Sequence, residues 1–181
     1  MVPRVDSLIL ASASPQRRAI LTQLGIEFTV RPAGVDELDA GDPVEVAVAN
    51  AVAKASAVPG ALVLGVDTLV TLDGEIFGKP ADDAAATAML GRLAGRTHQV
   101  VSGIALSRDG DVTSAVEITE VTFAAVGAEE IDAYVQTGEW DGRAGGYAIQ
   151  GRGAWLVERI EGDYLNVVGL PVPALRRLLG R

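Results

Sequence analysis

The chain has 181 residues, 49% of them hydrophobic, and its 24 acidic against 15 basic residues leave a net charge of −9. That size suits one compact domain burying roughly 70% of its unfolded-chain surface, and the acidic balance argues against a nucleic-acid partner, which needs a broad basic face. With no cysteine and His98 as the only histidine, a thiolate nucleophile and cysteine-ligated zinc are excluded, and a Ser-His-Asp triad or multi-histidine metal site nearly so, leaving carboxylates, lysines, arginines and hydroxyls to carry chemistry.

In chain order, "LILA" (8 to 11) reads as a buried strand, and Ser14 followed by Pro15 starts a helix, with an N-cap and a proline at the first helical position. Gly25 ends that helix and "EFTVR" (27 to 31) alternates as a short strand. A turn-rich loop (32 to 43) leads to a second helix opened by Asp42 and Pro43 and closed before Pro59. Residues 61 to 80 read as a buried strand, a short break and a hairpin turning at Asp73-Gly74. A third helix spans about 82 to 93. Two long strands joined at Asp109-Gly110 fill 97 to 126, and a helix with acidic residues in its first turn follows over 128 to 138. Residues 139 to 164 pack six glycines into a loop and strand, and "PVPALRRLLG" closes as a short helix. No repeat or composition break divides this α/β alternation, so one domain over 1–181 is expected. No run of about 18 uncharged apolar residues occurs, and residues 1 to 12 lack a signal peptide's basic start and cleavage site. A soluble, cytoplasmic protein with no membrane partner is therefore expected.

The first helix places Arg17 and Arg18 in its first turn, where the helix dipole makes a cation unfavourable by roughly 0.3–1 kcal/mol. An anion there removes the cost. Ser12, Ser14 and the loop N–H groups then form an anion site at the helix N-terminus; the alternative is a capped helix with solvated arginines. The two arginines lie about 100° apart around the helix, so Arg17 is expected to face the ligand and Arg18 a structural ion pair or a neighbouring chain. Thirteen of the fifteen basic residues are arginine, with Lys54 and Lys79 the only lysines. Where a lysine survives in such a chain a compact point charge is expected. Both look like phosphate contacts, against a snorkelling Lys54 and an exposed loop Lys79.

Asp67 directly follows the apolar run "ALVLGV", at an expected strand end. Half buried there, a carboxylate needs a cation, a metal or a proton, as a general base or metal ligand does; the bland alternative is a turn aspartate capping Thr68. Glu37, in a loop able to fold over the same site, is its possible companion or a solvated acid. "GGYAIQGRG" is glycine-rich enough for close backbone approach to a ligand, with Gln150 able to donate and accept at a base edge. It is neither a P-loop nor a dinucleotide-binding turn. Trp140 stacks or packs, Trp155 and the tail serve core or interface, and His98 is structural.

Taken in order, "LASASPQRRAIL", "VDE", "VLGVDTLVTLDGEIFGKP", "LAGRTHQVVSGIAL", "EVTF" and "GGYAIQGRGAWLVERIEGDYLNVVGLP" closely resemble the Maf family of nucleoside triphosphate pyrophosphatases, from Leu8 to about Leu175. The resemblance implies a mixed elongated sheet with helices forming two lobes around a deep cleft, like inosine triphosphate pyrophosphatases, paired as a homodimer. It implies hydrolysis of a nucleoside triphosphate between the α and β phosphates, with Mg²⁺ or Mn²⁺. The family's general base falls on Asp67 and its polar phosphate-binding and catalytic positions on Ser12, Arg17, Glu37, Lys54 and Lys79; Glu37 and Asp67 are the candidate metal ligands, and the resemblance leaves open whether they bind the metal directly.

Base preference is less uniform. The branch preferring dTTP and UTP shows arginine after the proline, threonine after the catalytic aspartate and glutamine in the glycine-rich loop; here those places hold Gln16, Thr68 and Gln150. The branch preferring 7-methyl-GTP has tryptophan, glutamine and glutamate there, and none is present. A broad or pyrimidine-leaning enzyme, including modified nucleotides, is expected. The alternative is a nucleotide-binding regulator of cell division with little turnover.

Overall fold

The computed structural model describes residues 8–180. Local signals start its elements. β1 (Leu8–Leu10) is fully buried, and α1 (Pro15–Gln23) begins with Pro15 and with Ser14 accepting the Arg17 N–H. β2 (Phe28–Val30) follows, and then α2 (Pro43–Ala57), whose Asp42 cap accepts from the Val44 and Glu45 N–H groups. β3 (Leu62–Leu72) and β4 (Glu75–Phe77) turn at Asp73-Gly74, both residues at positive φ. α3 (Asp83–Leu93) is capped by Asp82. β5 (Thr97–Arg108) and β6 (Asp111–Phe123) turn in the same way at Asp109-Gly110, which matches the right-handed twist of the flanking strands. α4 (Ala128–Val135), two short 3₁₀ turns, β7 (Val157–Glu161), α5 (Tyr164–Val168) and α6 (Val172–Leu178) complete the described chain.

The strands form one mixed seven-stranded sheet in the order β2-β1-β3-β5-β6-β7, with β4 added to β3. β1 runs parallel to β2 and β3, and the remaining pairs are antiparallel. This bears out the mixed α/β architecture. Two main hydrophobic clusters form on it. One gathers Leu8, Leu10, Leu64, Val66 and Ile104 with Ile20, Leu21 and Leu175. The other gathers Val70, Phe77, Leu90 and Phe123 with Ile131, Tyr134 and Leu156. Among the described residues no helix is long and apolar enough to cross a membrane.

Two expectations are corrected. Residues 61 to 80 hold no break at Asp67, because β3 runs unbroken through it, paired with β5 from Leu62↔Arg108 to Thr71↔Gln99. A buried carboxylate can lie within a strand when a neighbouring helix supplies its partners, as α2 does here. Residues 139 to 164 are also more than a loop and strand, since Tyr164 opens the short helix α5. Its Asp163 cap accepts from the Leu165 N–H, and Asn166, wholly buried, donates to the Val100 carbonyl and Thr119 hydroxyl of β5 and β6. Tertiary hydrogen bonds hold a helix too short to persist alone.

The topology leaves an opening along β3. On one side its first residues pair with β1 as far as Leu64↔Leu10, and its last with β4 from Val70↔Phe77. Between them, among the described residues, no strand covers that edge. Side chains alternate across a strand, so at this gap Asp67 faces α2 and Thr68 faces α1 and α5, yet both reach the same opening. α2 lies very close to the sheet: a Cβ on Gly65 would collide with the Ala51 carbonyl oxygen and Ala55 nitrogen, and one on Gly103 with the Ala47 carbonyl. Small residues on both surfaces therefore set the height of Asn50 and Lys54 above Asp67.

Candidate active site

At this gap lies a cavity of about 920 Å³, and Ser12, Ser14, Gln16, Arg17, Glu37, Lys54, Asp67, Thr68, Lys79 and Gln150 all line it. Residues spread over most of the chain are thus brought to one place. The volume falls within the roughly 300–1,000 Å³ of small-molecule sites.

Asp67 is nearly inaccessible, at 5% exposure, more deeply placed than the half burial expected. Lys54 Nζ donates to its Oδ1 at 2.8 Å and Asn50 Nδ2 to its Oδ2 at 2.9 Å. Burial alone pushes the carboxyl pKa up, but the Lys54 ammonium, the Asn50 amide and the Arg17 charge outweigh it and hold Asp67 below the usual aspartate value. The same ammonium reaches Glu37 Oε2 at 3.0 Å. Lys54 is thus neither snorkelling nor free; it joins a buried carboxylate to a half-exposed one.

Arg17 turns its guanidinium inward. Nε donates to the Gly169 carbonyl at 2.9 Å, one terminal nitrogen to Ser12 Oγ at 2.9 Å and the other to Thr68 Oγ1 at 3.1 Å. Burial lowers its pKa while Asp67 and Glu37 act in the opposite direction, and an arginine stays charged regardless. Arg18 points to solvent and forms no ion pair among the described residues, so an intrachain partner for it is not found. Ser14 serves as the helix cap and donates to Gln16 Oε1 at 3.0 Å, holding Gln16 at the cavity rim.

The far wall comes from the loop after β4 and the glycine-rich segment, tied together by the Gly145 N–H donating to the Gly78 carbonyl at 3.1 Å. Lys79 and Gln150 are exposed there. Gly145 has φ 72° and sits against Val70, where any Cβ would be crowded, which explains the glycine requirement at that point of the segment.

Trp140 packs on the core and donates to the Val135 carbonyl, while Trp155 stays outside it, 77% exposed, with its indole N–H on Glu130. α6 contributes Ala174 and Leu175 to the core. His98 is buried in an edge-on cluster with Phe123 and Tyr147, in the structural role expected.

Three features of the site escaped the sequence reading. Asn50 lies one helical turn before Lys54 on the same face, a four-residue spacing that marks it. Arg143 lines the cavity with its Nε buried and unpartnered; it was visible only as a cation in a glycine-rich run. The Gly169 carbonyl carries no side-chain signal at all.

Chemically, the cavity sets an ionised, cation-held carboxylate at its floor and cationic side chains on its walls. Such an arrangement carries the charge to receive a polyanion and the carboxylate to activate a small nucleophile, in an α/β protein with a small-molecule-sized cavity. The chain belongs to the Maf-like protein family, whose profile matches residues 7–181. It is 52% identical over 174 residues to a dTTP/UTP pyrophosphatase of Symbiobacterium thermophilum, covering 93% of this chain and 90% of the relative. It is also 48% identical to a dTTP/UTP pyrophosphatase of Moorella thermoacetica (97% and 94% covered) and 44% identical to one of Pyrococcus furiosus (97% and 95% covered).

Proposed function

We propose that this chain hydrolyses nucleoside triphosphates to a nucleoside monophosphate and pyrophosphate, with uracil and thymine nucleotides preferred. The observation that carries this reading is the Asp67–Lys54–Glu37 cluster at the floor of a cavity walled by Arg17, Lys79 and Arg143. The relatives' names favour turnover over the regulatory alternative, and Thr68 and Gln150, though not Gln16, match the pattern that the resemblance gives for the dTTP/UTP branch.

In this reading Asp67 orients a water molecule and takes its proton as the water oxygen bonds to the α-phosphorus. The bond from that phosphorus to the bridging oxygen breaks, and pyrophosphate leaves. Asp67 is ionised at neutral pH but, while Lys54 holds it, a weak base. When Lys54 moves toward the incoming phosphates, Asp67 loses its strongest partner and gains affinity for a proton at the moment one is released. Lys79 and Arg143 hold the outer phosphates and stabilise charge on the departing group.

A divalent cation, Mg²⁺ or Mn²⁺, fits the residues present. The candidate donors are carboxylate oxygens, and among the described residues no cluster of three or more acidic or histidine side chains forms a protein cage. That suits a hard cation carried largely by substrate phosphates and held by one or two carboxylates. Glu37 and Asp67 would hold it, and it would supply neutralisation of phosphate charge.

The test is product analysis with a panel of ordinary and modified nucleoside triphosphates in Mg²⁺ or Mn²⁺, wild type beside Asp67→Asn. The expected result is pyrophosphate from wild type, fastest with UTP and dTTP, and a loss of roughly 10²–10⁴ in turnover in the variant with nucleotide binding kept. Orthophosphate as the first product, or full activity in Asp67→Asn, contradicts the reading.

A further inference from the structure

We infer that Ser102 is a positioning residue that fixes the Thr68 hydroxyl as a hydrogen-bond donor toward the cavity, so that the site selects a base bearing a carbonyl over one bearing an amino group at the same edge. The inference rests on the pyrophosphatase reading above and concerns how that site chooses its base.

The argument is a proton count. Ser102 and Thr68 face each other across β5 and β3 as a register pair, with their hydroxyl oxygens 2.9 Å apart. A hydroxyl has one proton to give and two lone pairs to receive with. Ser102 is completely buried, and among the described residues Thr68 Oγ1 is the only partner of its hydroxyl. Its proton has no other acceptor, and a buried donor without an acceptor is disfavoured, so Ser102 donates to Thr68. Arg17, which carries only donors, gives a second proton to the same oxygen at 3.1 Å.

Both lone pairs of Thr68 Oγ1 are then filled, and its own proton must point elsewhere. With Ser102 acting as donor, the one other protein acceptor in range among the described residues is the Gly169 carbonyl, at 3.5 Å, which already accepts from Arg17 Nε at 2.9 Å. That contact lies at the outer limit of a hydrogen bond. Thr68 lines the cavity, so its proton is available to a bound ligand while its oxygen is closed to any donor the ligand brings.

Uracil and thymine carry a carbonyl oxygen at ring position 4, where cytosine carries an amino group. A hydroxyl locked as donor donates to the first and meets the second with donor against donor. A site built around one hydrogen-bond polarity rejects the opposite one far more strongly than it rejects a missing methyl. Were Ser102 absent, one lone pair of Thr68 would be vacated and the hydroxyl could accept from the cytosine amino group.

The experiment is kcat/KM for pyrophosphate release from UTP and from CTP, measured for wild type, Ser102→Ala, Ser102→Thr and Ser102→Cys. Wild type is expected to favour UTP. Ser102→Ala should lower the UTP:CTP ratio by roughly three- to tenfold, about the net worth of one neutral hydrogen bond. Ser102→Thr, which keeps the donor, should restore the ratio. Ser102→Cys fills the space with a much weaker donor and should lower it, which preserves the test if the alanine variant folds poorly. In a Thr68→Val background, Ser102→Ala should leave the ratio unchanged. A purely structural role for Ser102 slows both nucleotides equally. Equal slowing with the ratio intact in both Ser102→Ala and Ser102→Cys, or a wild type indifferent between UTP and CTP, overturns the inference and leaves the pyrophosphatase reading standing. Absence of pyrophosphate from every nucleotide overturns that reading itself.

Discussion

Asn50 shows how much one side chain settles at this site. Its amide accepts from the Leu38 N–H at 2.8 Å and donates to the Leu38 carbonyl at 2.9 Å, while also donating to Asp67 Oδ2 at 2.9 Å. The first two bonds pin the loop that carries Glu37, and the third holds the ionised form of Asp67. Asn50→Ala removes all three. The expected cost is about 1–3 kcal/mol, because a buried acceptor is left without its partner. The more specific consequence concerns pH. Asp67 is held below the usual aspartate value partly by this bond, and a reaction that needs the carboxylate is lost as pH falls through its pKa. Removing a bond to the ionised form raises that pKa, so the acid limb of kcat/KM should move to higher pH in Asn50→Ala. A pH–rate profile checks this, and an acid limb that stays in place contradicts the assignment of the limb to Asp67.

At the scale of elements, α2 is the part of the fold whose placement decides function, because it delivers Asn50 and Lys54 to a strand that delivers Asp67. Its approach depends on the absence of side chains: Gly65 and Gly103 on the sheet meet the α2 backbone at Ala51, Ala55 and Ala47 with no room for a Cβ. Gly103→Ala should lift the helix at a cost of about 1–3 kcal/mol, as overpacking does. For a chain of this length that lowers Tm by about 2–4 °C per kcal/mol, and turnover should fall with it as Lys54 leaves Asp67. Gly91 in α3 is the control. Nothing lies within 4 Å of a Cβ there and its φ is ordinary, so Gly91→Ala should be neutral or stabilise by up to about 1 kcal/mol. Paired thermal melts and kcat measurements on the two variants check the contrast. These elements were also unevenly legible in the sequence. Caps at Ser14, Asp42 and Asp82 and the two aspartate-glycine turns act within a few residues, so they can be read locally. The course of β3 through Asp67 could not, because what makes a carboxylate tolerable mid-strand is a helix ending ten residues upstream. α5 was missed for the same reason, since Asn166 holds it through bonds to strands far back in the chain.

Across the whole molecule, the sheet carries the cavity at the gap in β3 and an aromatic cluster whose one histidine links proton binding to folding. His98 is 1% exposed on β5, with Nε2 2.9 Å from the Tyr147 hydroxyl and its ring edge-on to Phe123 at 4.9 Å. Among the described residues its Nδ1 has no partner. Burial pushes its pKa down to about 4 from the ordinary 6.5. Between those two values the unfolded chain binds a proton that the folded chain refuses, so stability rises with pH across the window and is lost as pH falls from 6.5 toward 4. At about 1.36 kcal/mol per pKa unit, His98 should remove about 2–3 kcal/mol on acidification to pH 4.5. Carboxylates add to the acid sensitivity, among them Asp163, whose pKa burial raises. The informative quantity is therefore a difference between proteins. His98→Phe keeps the aromatic packing and removes the titration, and it gives up the bond to Tyr147 at every pH alike. Urea unfolding at pH 7 and pH 4.5 should show wild type losing about 2–3 kcal/mol more than His98→Phe between the two conditions. Equal losses would mean that the His98 ring takes up its proton as readily in the folded chain as in the unfolded one.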